Sequence, residues 1–136
     1  MEEDREITVV AKTEEIPTIS EFIEELMRTS GFDTKEIMEV QLAAEEACTN
    51  IALYAYPGRV GNIHIKAKVG DGLQLNIEDD GTPFDPTKRD LPPTDADAEE
   101  RPIGGLGIYL IKTYVDDVSY EFKEGKNVLR LVKNRA

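Results

Sequence analysis

The sequence predicts an α+β fold, a two-layer α/β sandwich in which a mixed, mostly antiparallel sheet carries its helices on one face. Three observations lead to it. Segments of period two and of helical period alternate in the order strand, helix, helix, hairpin, loop, helix, hairpin. Two strand pairs are joined by short glycine-containing turns, Gly70-Asp71-Gly72 and Glu124-Gly125-Lys126-Asn127, and hairpins cannot build an all-parallel sheet. A chain of 136 residues suffices for one domain with a real core and leaves no room for a second folded unit, so residues 1–136 are expected to form a single domain.

Residues 5 to 11 are rich in β-branched side chains and read as the first strand. Pro17 suits a helix start, Ile19, Phe22, Ile23 and Leu26 recur at helical spacing, and Gly31 suits the stop. A second helix is expected from Asp33 or Thr34, with Glu36 close behind the cap, to about Tyr56, where Pro57-Gly58 ends it. Ile63, Ile65, Ala67 and Val69 alternate with polar residues, as do Leu73, Leu75 and Ile77, giving a hairpin with one buried face. Residues 83 to 102 are rich in Pro and Asp, lack periodicity and are long enough for a binding loop. Gly104-Gly105-Leu106-Gly107 opens a short apolar helix to about Val115. Val118, Tyr120 and Phe122 then mark a strand, and residues 128 to 133 mark the last.

Composition narrows the function. A net charge of -12 argues against a nucleic-acid partner, since phosphate backbones are bound through clustered Lys and Arg. No apolar run reaches the ~20 residues of a membrane span, the acidic N-terminus does not resemble a secretory signal, and the single cysteine, Cys48, offers neither an internal disulfide nor a zinc cluster. A cytoplasmic location is the expectation. An acidic chain that binds a polyphosphate has to use local devices: a divalent cation, backbone N–H groups and a helix N-terminus.

On the second helix, Ile37, Val40, Ala44, Ala47, Cys48, Ile51 and Ala55 form one stripe expected to face the sheet. Glu46 and Asn50, four apart, point together to another side beside Leu42, Ala43 and Leu53, with no Lys or Arg between Lys35 and Arg59. They read either as working polar groups in an apolar rim or as a partly exposed acid and a locally bonded amide, and periodicity leaves both open. Glu45 reads as a solvated acid and His64 as a solvated strand side chain. Asp79-Asp80-Gly81 after a strand reads as a turn. The glycines at 104, 105 and 107 suit close packing or an oxyanion at a helix start, and neither the P-loop nor the Rossmann fingerprint is present.

Taken in order, Glu46-Ala47-Cys48-Thr49-Asn50, Glu78-Asp79-Asp80-Gly81-Thr82-Pro83-Phe84-Asp85 and Gly104-Gly105-Leu106-Gly107-Ile108-Tyr109-Leu110-Ile111 resemble the GHKL (histidine-kinase-like) ATPase superfamily, and within it the small anti-sigma-factor serine/threonine kinases. The resemblance covers nearly the whole chain and implies the Bergerat-type ATP-binding fold. It implies ATP and Mg²⁺ as cofactors, Glu46 as general base, Asn50 as a metal ligand, and Asp79 as acceptor for the adenine amino group. Gly81 would keep the plane of the base unobstructed, Gly104, Gly105, Leu106 and Gly107 would lie at the phosphates, and residues 86–103 would form the ATP lid. The implied partners are a small antagonist protein bearing the Ser or Thr phosphoacceptor and a sigma factor or other regulator, with a homodimer as the expected assembly. The sequence departs from the wider pattern at Pro83, where a glycine is usual, and at Asn127, near a position where many relatives carry Thr. A nucleotide-dependent switch with little or no phosphoryl transfer is the alternative reading.

Overall fold

The computed structural model describes residues 3–86 and 104–135. Five strands form one sheet: β1 (Glu3–Val10), β2 (Asn62–Val69), β3 (Gly72–Asp79), β4 (Asp117–Lys123) and β5 (Lys126–Asn134). Their order is β1-β2-β3-β5-β4, and every pairing among the described strands is antiparallel. Three helices, α1 (Ile16–Thr29), α2 (Thr34–Asn50) and α3 (Gly104–Tyr114), complete an α+β sandwich.

Period-two patterning sets the register. Ile63, Ile65, Ala67 and Val69 of β2 are all buried, and Ile65 and Ala67 stand opposite Ile77 and Leu75 of β3. A slip of one residue would turn His64, Lys66 and Lys68 into the core, which is why the pairing is unique. Leu129 and Leu131 of β5 continue the apolar face, and the helices bury Ile19, Ile23, Val40, Cys48 and Ile111 against it.

The helices begin and end where their sequences allow. A turn of 3-10 helix, Thr13–Glu15, leads into α1, whose first turn holds Pro17. Asp33 caps α2 in a reciprocal box: its side chain accepts from Glu36 N at 2.7 Å, and its own N–H donates to Glu36 Oε1 at 2.9 Å. The helix expected to run to Tyr56 changes character after Asn50, because Ile51–Ala55 form a π-helical turn. At the far end of the layer, the Lys133 ammonium lies 3.0 Å from both Glu39 Oε1 and the Tyr114 carbonyl, tying the end of α3 to α2.

Two expectations need correction. Glu45 is not a free solvated acid: it accepts from Ser20 Oγ at 2.7 Å and joins α2 to α1. His64 is likewise engaged, its Nε2 lying 2.9 Å from Glu6 Oε1 and its Nδ1 bonded to Thr8 Oγ1, so three residues of β1 and β2 link across the strands. Of the expected lid, 86–103, only Pro86 is described; residues 87–103 lie outside the described residues.

The capping box gives the first prediction. Asp33→Ala removes the acceptor for the Glu36 N–H and is expected to cost about 1 kcal/mol, lowering the melting temperature by roughly 3–5 °C in a scanning-calorimetry comparison. An unchanged melting temperature would mean that the box contributes nothing.

Candidate functional site

The last two turns of α2 hold two polar atoms with nothing to bond. Glu46 Oε2 and Asn50 Oδ1 are both buried, and neither has a hydrogen-bond partner among the described residues. Each such atom costs about 1–3 kcal/mol. Two of them lie one turn apart on one side of one helix, and each calls for a partner beyond the described residues. The locally bonded amide of the second reading is not seen at Asn50 Oδ1, which has no partner among the described residues. Ala43, expected beside them, is fully buried in the core, whereas Leu42 and Leu53 are exposed. Burial, reinforced by the neighbouring Glu45 charge, raises the Glu46 carboxyl above its ordinary value of 4.5.

Asn50 lies on the wall of a cavity of about 270 Å³ between α2, α3 and the ends of β3 and β5. Ala47, Ile51, Ile77, Ile111 and Leu129 make its walls apolar, and Asp79, Thr82 and Asn127 add polar groups. An apolar cleft with a few fixed polar groups is the usual form of a site for a small molecule or cofactor.

Asp79 ends β3 and is 7% exposed. Its Oδ1 accepts from Gly81 N and from Asn127 Nδ2, both at 2.9 Å, which leaves Oδ2 for a ligand donor. Burial raises its pKa, and the Asp80 charge adds to that, while the two hydrogen bonds work in the opposite direction. Gly81 is required by packing: a Cβ there would stand 2.4 Å from the Ala55 carbonyl oxygen, a backbone atom that cannot swing away. The same carbonyl accepts from Thr82 N at 2.8 Å, so the π-helical turn and the turn after β3 are bound together. Tyr56 adds a second tie. Its hydroxyl accepts from Asp80 N at 3.1 Å and lies 2.7 Å from the Asn62 carbonyl and 2.9 Å from Asp80 Oδ1.

The described structure therefore brings Asn50 and Asp79 into one cavity, with Glu46 a turn further along α2 and Gly81 behind Asp79. Gly104, Gly105, Leu106 and Gly107 form the first turn of α3, a helix that packs against α2; for these four residues only the backbone is described. Their position at a helix start places N–H groups without intrahelical acceptors there. Cys48 takes no part: fully buried, its thiol is pushed up to about 12 by burial and by the Asp79 and Glu45 charges. Among the described residues, no group of three or more His, Cys, Asp or Glu is placed to hold a metal, and no helix is long and apolar enough to cross a membrane.

Sequence reasoning missed the π-helical turn, the role of Tyr56 and the place of Asn127. One signal for Asn127 existed: it alternates in phase with Leu129 and Leu131, so it is a polar residue on the buried face of β5.

Comparison with known proteins places the chain in a family and gives the same fold. The family model described as the histidine kinase-like ATPase domain matches residues 9–133. The chain is 36% identical over 129 residues to a serine-protein kinase RsbW of Bacillus cereus, covering 91% of this chain and 81% of that protein. It is 37% identical over 106 residues to serine-protein kinase RsbW of Listeria monocytogenes, covering 74% of this chain and 68% of that one. In fold, it is similar to a crystal structure of the RsbU and RsbW domains of a Mycobacterium tuberculosis protein, with a TM-score of 0.72 and 16% identity, over 98% of this chain and 32% of that one.

The unpartnered carboxyl of Glu46 gives a stability prediction with a defined sign. Its folded pKa lies above the ordinary 4.5, so its contribution favours the folded state below that value and is lost as pH rises through the raised one. Replacing it by Gln removes this loss. The melting temperature of Glu46→Gln minus that of the wild type is expected to grow from about pH 4 to about pH 7. A difference that stays constant would show that Glu46 pays nothing for its ionisation.

Proposed function

Since the chain belongs to the histidine kinase-like ATPase family and, within it, to the serine-protein kinases related to RsbW, we propose a specific activity for it. As a single domain over residues 1–136, it transfers the γ-phosphate of Mg-ATP to a serine or threonine of a small antagonist protein and binds a second regulatory partner. The observation that supports this most strongly is the pair of unpartnered atoms on α2, Glu46 Oε2 and Asn50 Oδ1.

The residues fit the cofactor. Asn50 Oδ1 is an acceptor without a donor, which suits a hard cation held mainly by phosphate oxygens and only one or two protein groups. When bound, Mg²⁺ neutralises the charge that develops on the transferring phosphoryl group. Asp79 Oδ2 would accept from the amino group of adenine, and the apolar residues Ile77, Ile111 and Leu129 that line the cavity would hold the ring. The first-turn N–H groups of α3, at Gly104, Gly105, Leu106 and Gly107, would meet the phosphates, where glycine permits close approach.

Glu46 acts as the base. Its raised pKa brings it nearer the working pH than an exposed carboxylate, and its free Oε2 takes the proton of the attacking hydroxyl. The phosphoacceptor oxygen would then attack the γ-phosphorus in line as the bond from that phosphorus to the bridging oxygen breaks and ADP leaves, and the proton held by Glu46 would pass to solvent after product release. The same reading makes the protein a cytoplasmic homodimer whose partner is a protein rather than a nucleic acid, in keeping with its net charge of -12.

Three variants separate the roles. Glu46→Gln is expected to lower the rate of phosphoryl transfer to a cognate protein by about 10²- to 10⁴-fold while ATP still binds in equilibrium dialysis. Asn50→Ala is expected to abolish the increase in ATP affinity that Mg²⁺ gives the wild type. Asp79→Asn keeps an acceptor oxygen for Gly81 and Asn127, so it should fold normally yet bind ATP about 10- to 100-fold more weakly. Full transfer by Glu46→Gln would overturn the base, and full ATP affinity in Asp79→Asn would overturn the adenine contact.

A further inference from the structure

Asn127 stands directly opposite Asp79 in the β3–β5 ladder and is 6% exposed. Its side chain has two N–H donors and one carbonyl oxygen with two lone pairs, and the structure uses all four. Nδ2 donates to Asp79 Oδ1 at 2.9 Å and to the Thr82 carbonyl at 3.1 Å. Oδ1 accepts from Phe84 N at 3.0 Å and from the Tyr120 hydroxyl. The amide has only one possible orientation: turned over, its oxygen would face a carboxylate and a carbonyl, and its NH₂ would face a backbone N–H. Although Asn127 lines the cavity, it has no valence left for a ligand.

We propose that Asn127 is a positioning residue for the base-reading carboxylate, holding Asp79 Oδ1 and the backbone of Thr82 and Phe84 at the same time. The rotamer of Asp79 and the course of the chain leaving β3 are thereby set by one side chain. The inference rests on the reading of Asp79 as the adenine acceptor. Fixing Oδ1 between Asn127 and Gly81 turns Oδ2 to the ligand, so the binding of adenine needs no search among carboxyl rotamers. Other side chains cannot do this. Asp offers no donors and adds a charge beside Asp79. Thr offers one donor and cannot also span Thr82 and Phe84. Leu has the branched skeleton of Asn, a larger volume and none of its bonds.

A positioning role predicts effects that a merely structural one does not. The Asn127 hydrogen bond works against the burial that raises the Asp79 pKa, so removing it should raise that pKa further. In the free protein, the Asp79 carboxyl titration is followed by carbon-13 NMR for wild type, Asn127→Ala and Asn127→Thr. The midpoint is expected to rise by about one unit in Asn127→Ala, as a lost hydrogen bond to a charged acceptor implies, and by less in Asn127→Thr, which retains one donor.

ATP affinity is measured over the same pH range. At neutral pH, Asn127→Ala is expected to bind about tenfold more weakly. The turnover number at saturating ATP should change by less than about twofold, since the reacting groups on α2 are untouched. If Asn127→Ala does not fold, Asn127→Thr carries the test by the size of its midpoint shift. Unmoved midpoints in the variants that fold would overturn the proposal. If the midpoints move but Asp79→Asn binds ATP as tightly as the wild type, the brace is real and the adenine reading is wrong, so the positioning role falls with that reading.

Discussion

A carboxylate at the bottom of an apolar cavity is expensive unless its charge is met by donors, and the site is arranged around meeting that cost at Asp79. One donor, Gly81 N, can reach back to Asp79 only if the chain turns sharply out of the sheet after β3. That turn brings residue 81 against the Ala55 carbonyl, where only glycine fits, and lets Thr82 N bond the same oxygen. Ala55 ends the π-helical turn that continues α2. Asn50, at the last position of α2, is held relative to Asp79 through this chain of contacts. Tyr56, bound to both Asn62 and Asp80, secures the same junction from the side. The widened turn at Ile51–Ala55 is thus part of how the helix and sheet layers meet at the cavity, in line with the frequent placement of π-turns at functional sites.

The charge of the chain explains why the site is built from so few polar groups. With a net charge of -12, the field of the whole molecule repels a polyphosphate, and affinity has to come from short-range devices. In the proposed reading, the unpartnered Asn50 Oδ1 and the start of α3 would provide them without a cluster of lysines. The same reasoning separates the two faces of the sheet. On the face away from the helices, Glu6, His64, Lys66, Glu78 and Asp80 line a shallow polar hollow of about 390 Å³. Its charges are largely matched within the protein, His64 to Glu6 and Lys66 to Glu78. No buried side-chain atom there is left without a partner among the described residues, whereas both such atoms lie on α2, at Glu46 and at Asn50, which lines the apolar cavity.

Much of the fold was legible because alternation in β2 and β3 and the Asp33–Glu36 cap are local signals whose meaning does not depend on distant residues. The pairing of Glu46 with Asn50 was legible too, since i and i+4 positions share a helix side whatever the tertiary structure. The burial of Oε2 and Oδ1 without partners among the described residues was not, because only packing shows it. The solvated readings of Glu45 and His64 failed for a related reason: their partners, Ser20 and Thr8 with Glu6, are 25 or more residues away in sequence. Asn127 was noted only as a departure from the family pattern, and its place on the buried strand face was missed because the strand begins at Lys126, earlier than periodicity placed it.

The central claim is that Mg-ATP occupies the cavity between α2, α3 and the end of β3, and not the polar hollow across the sheet. Backbone amide chemical shifts, followed by NMR as Mg-ATP is added, test it most directly. The largest changes are expected at Asn50 to Ala55, Asp79 to Phe84 and Gly104 to Ile108, with Thr8, His64 and Lys66 nearly still. Changes concentrated at His64, Lys66 and Glu78, or no saturable change at millimolar nucleotide, would contradict it.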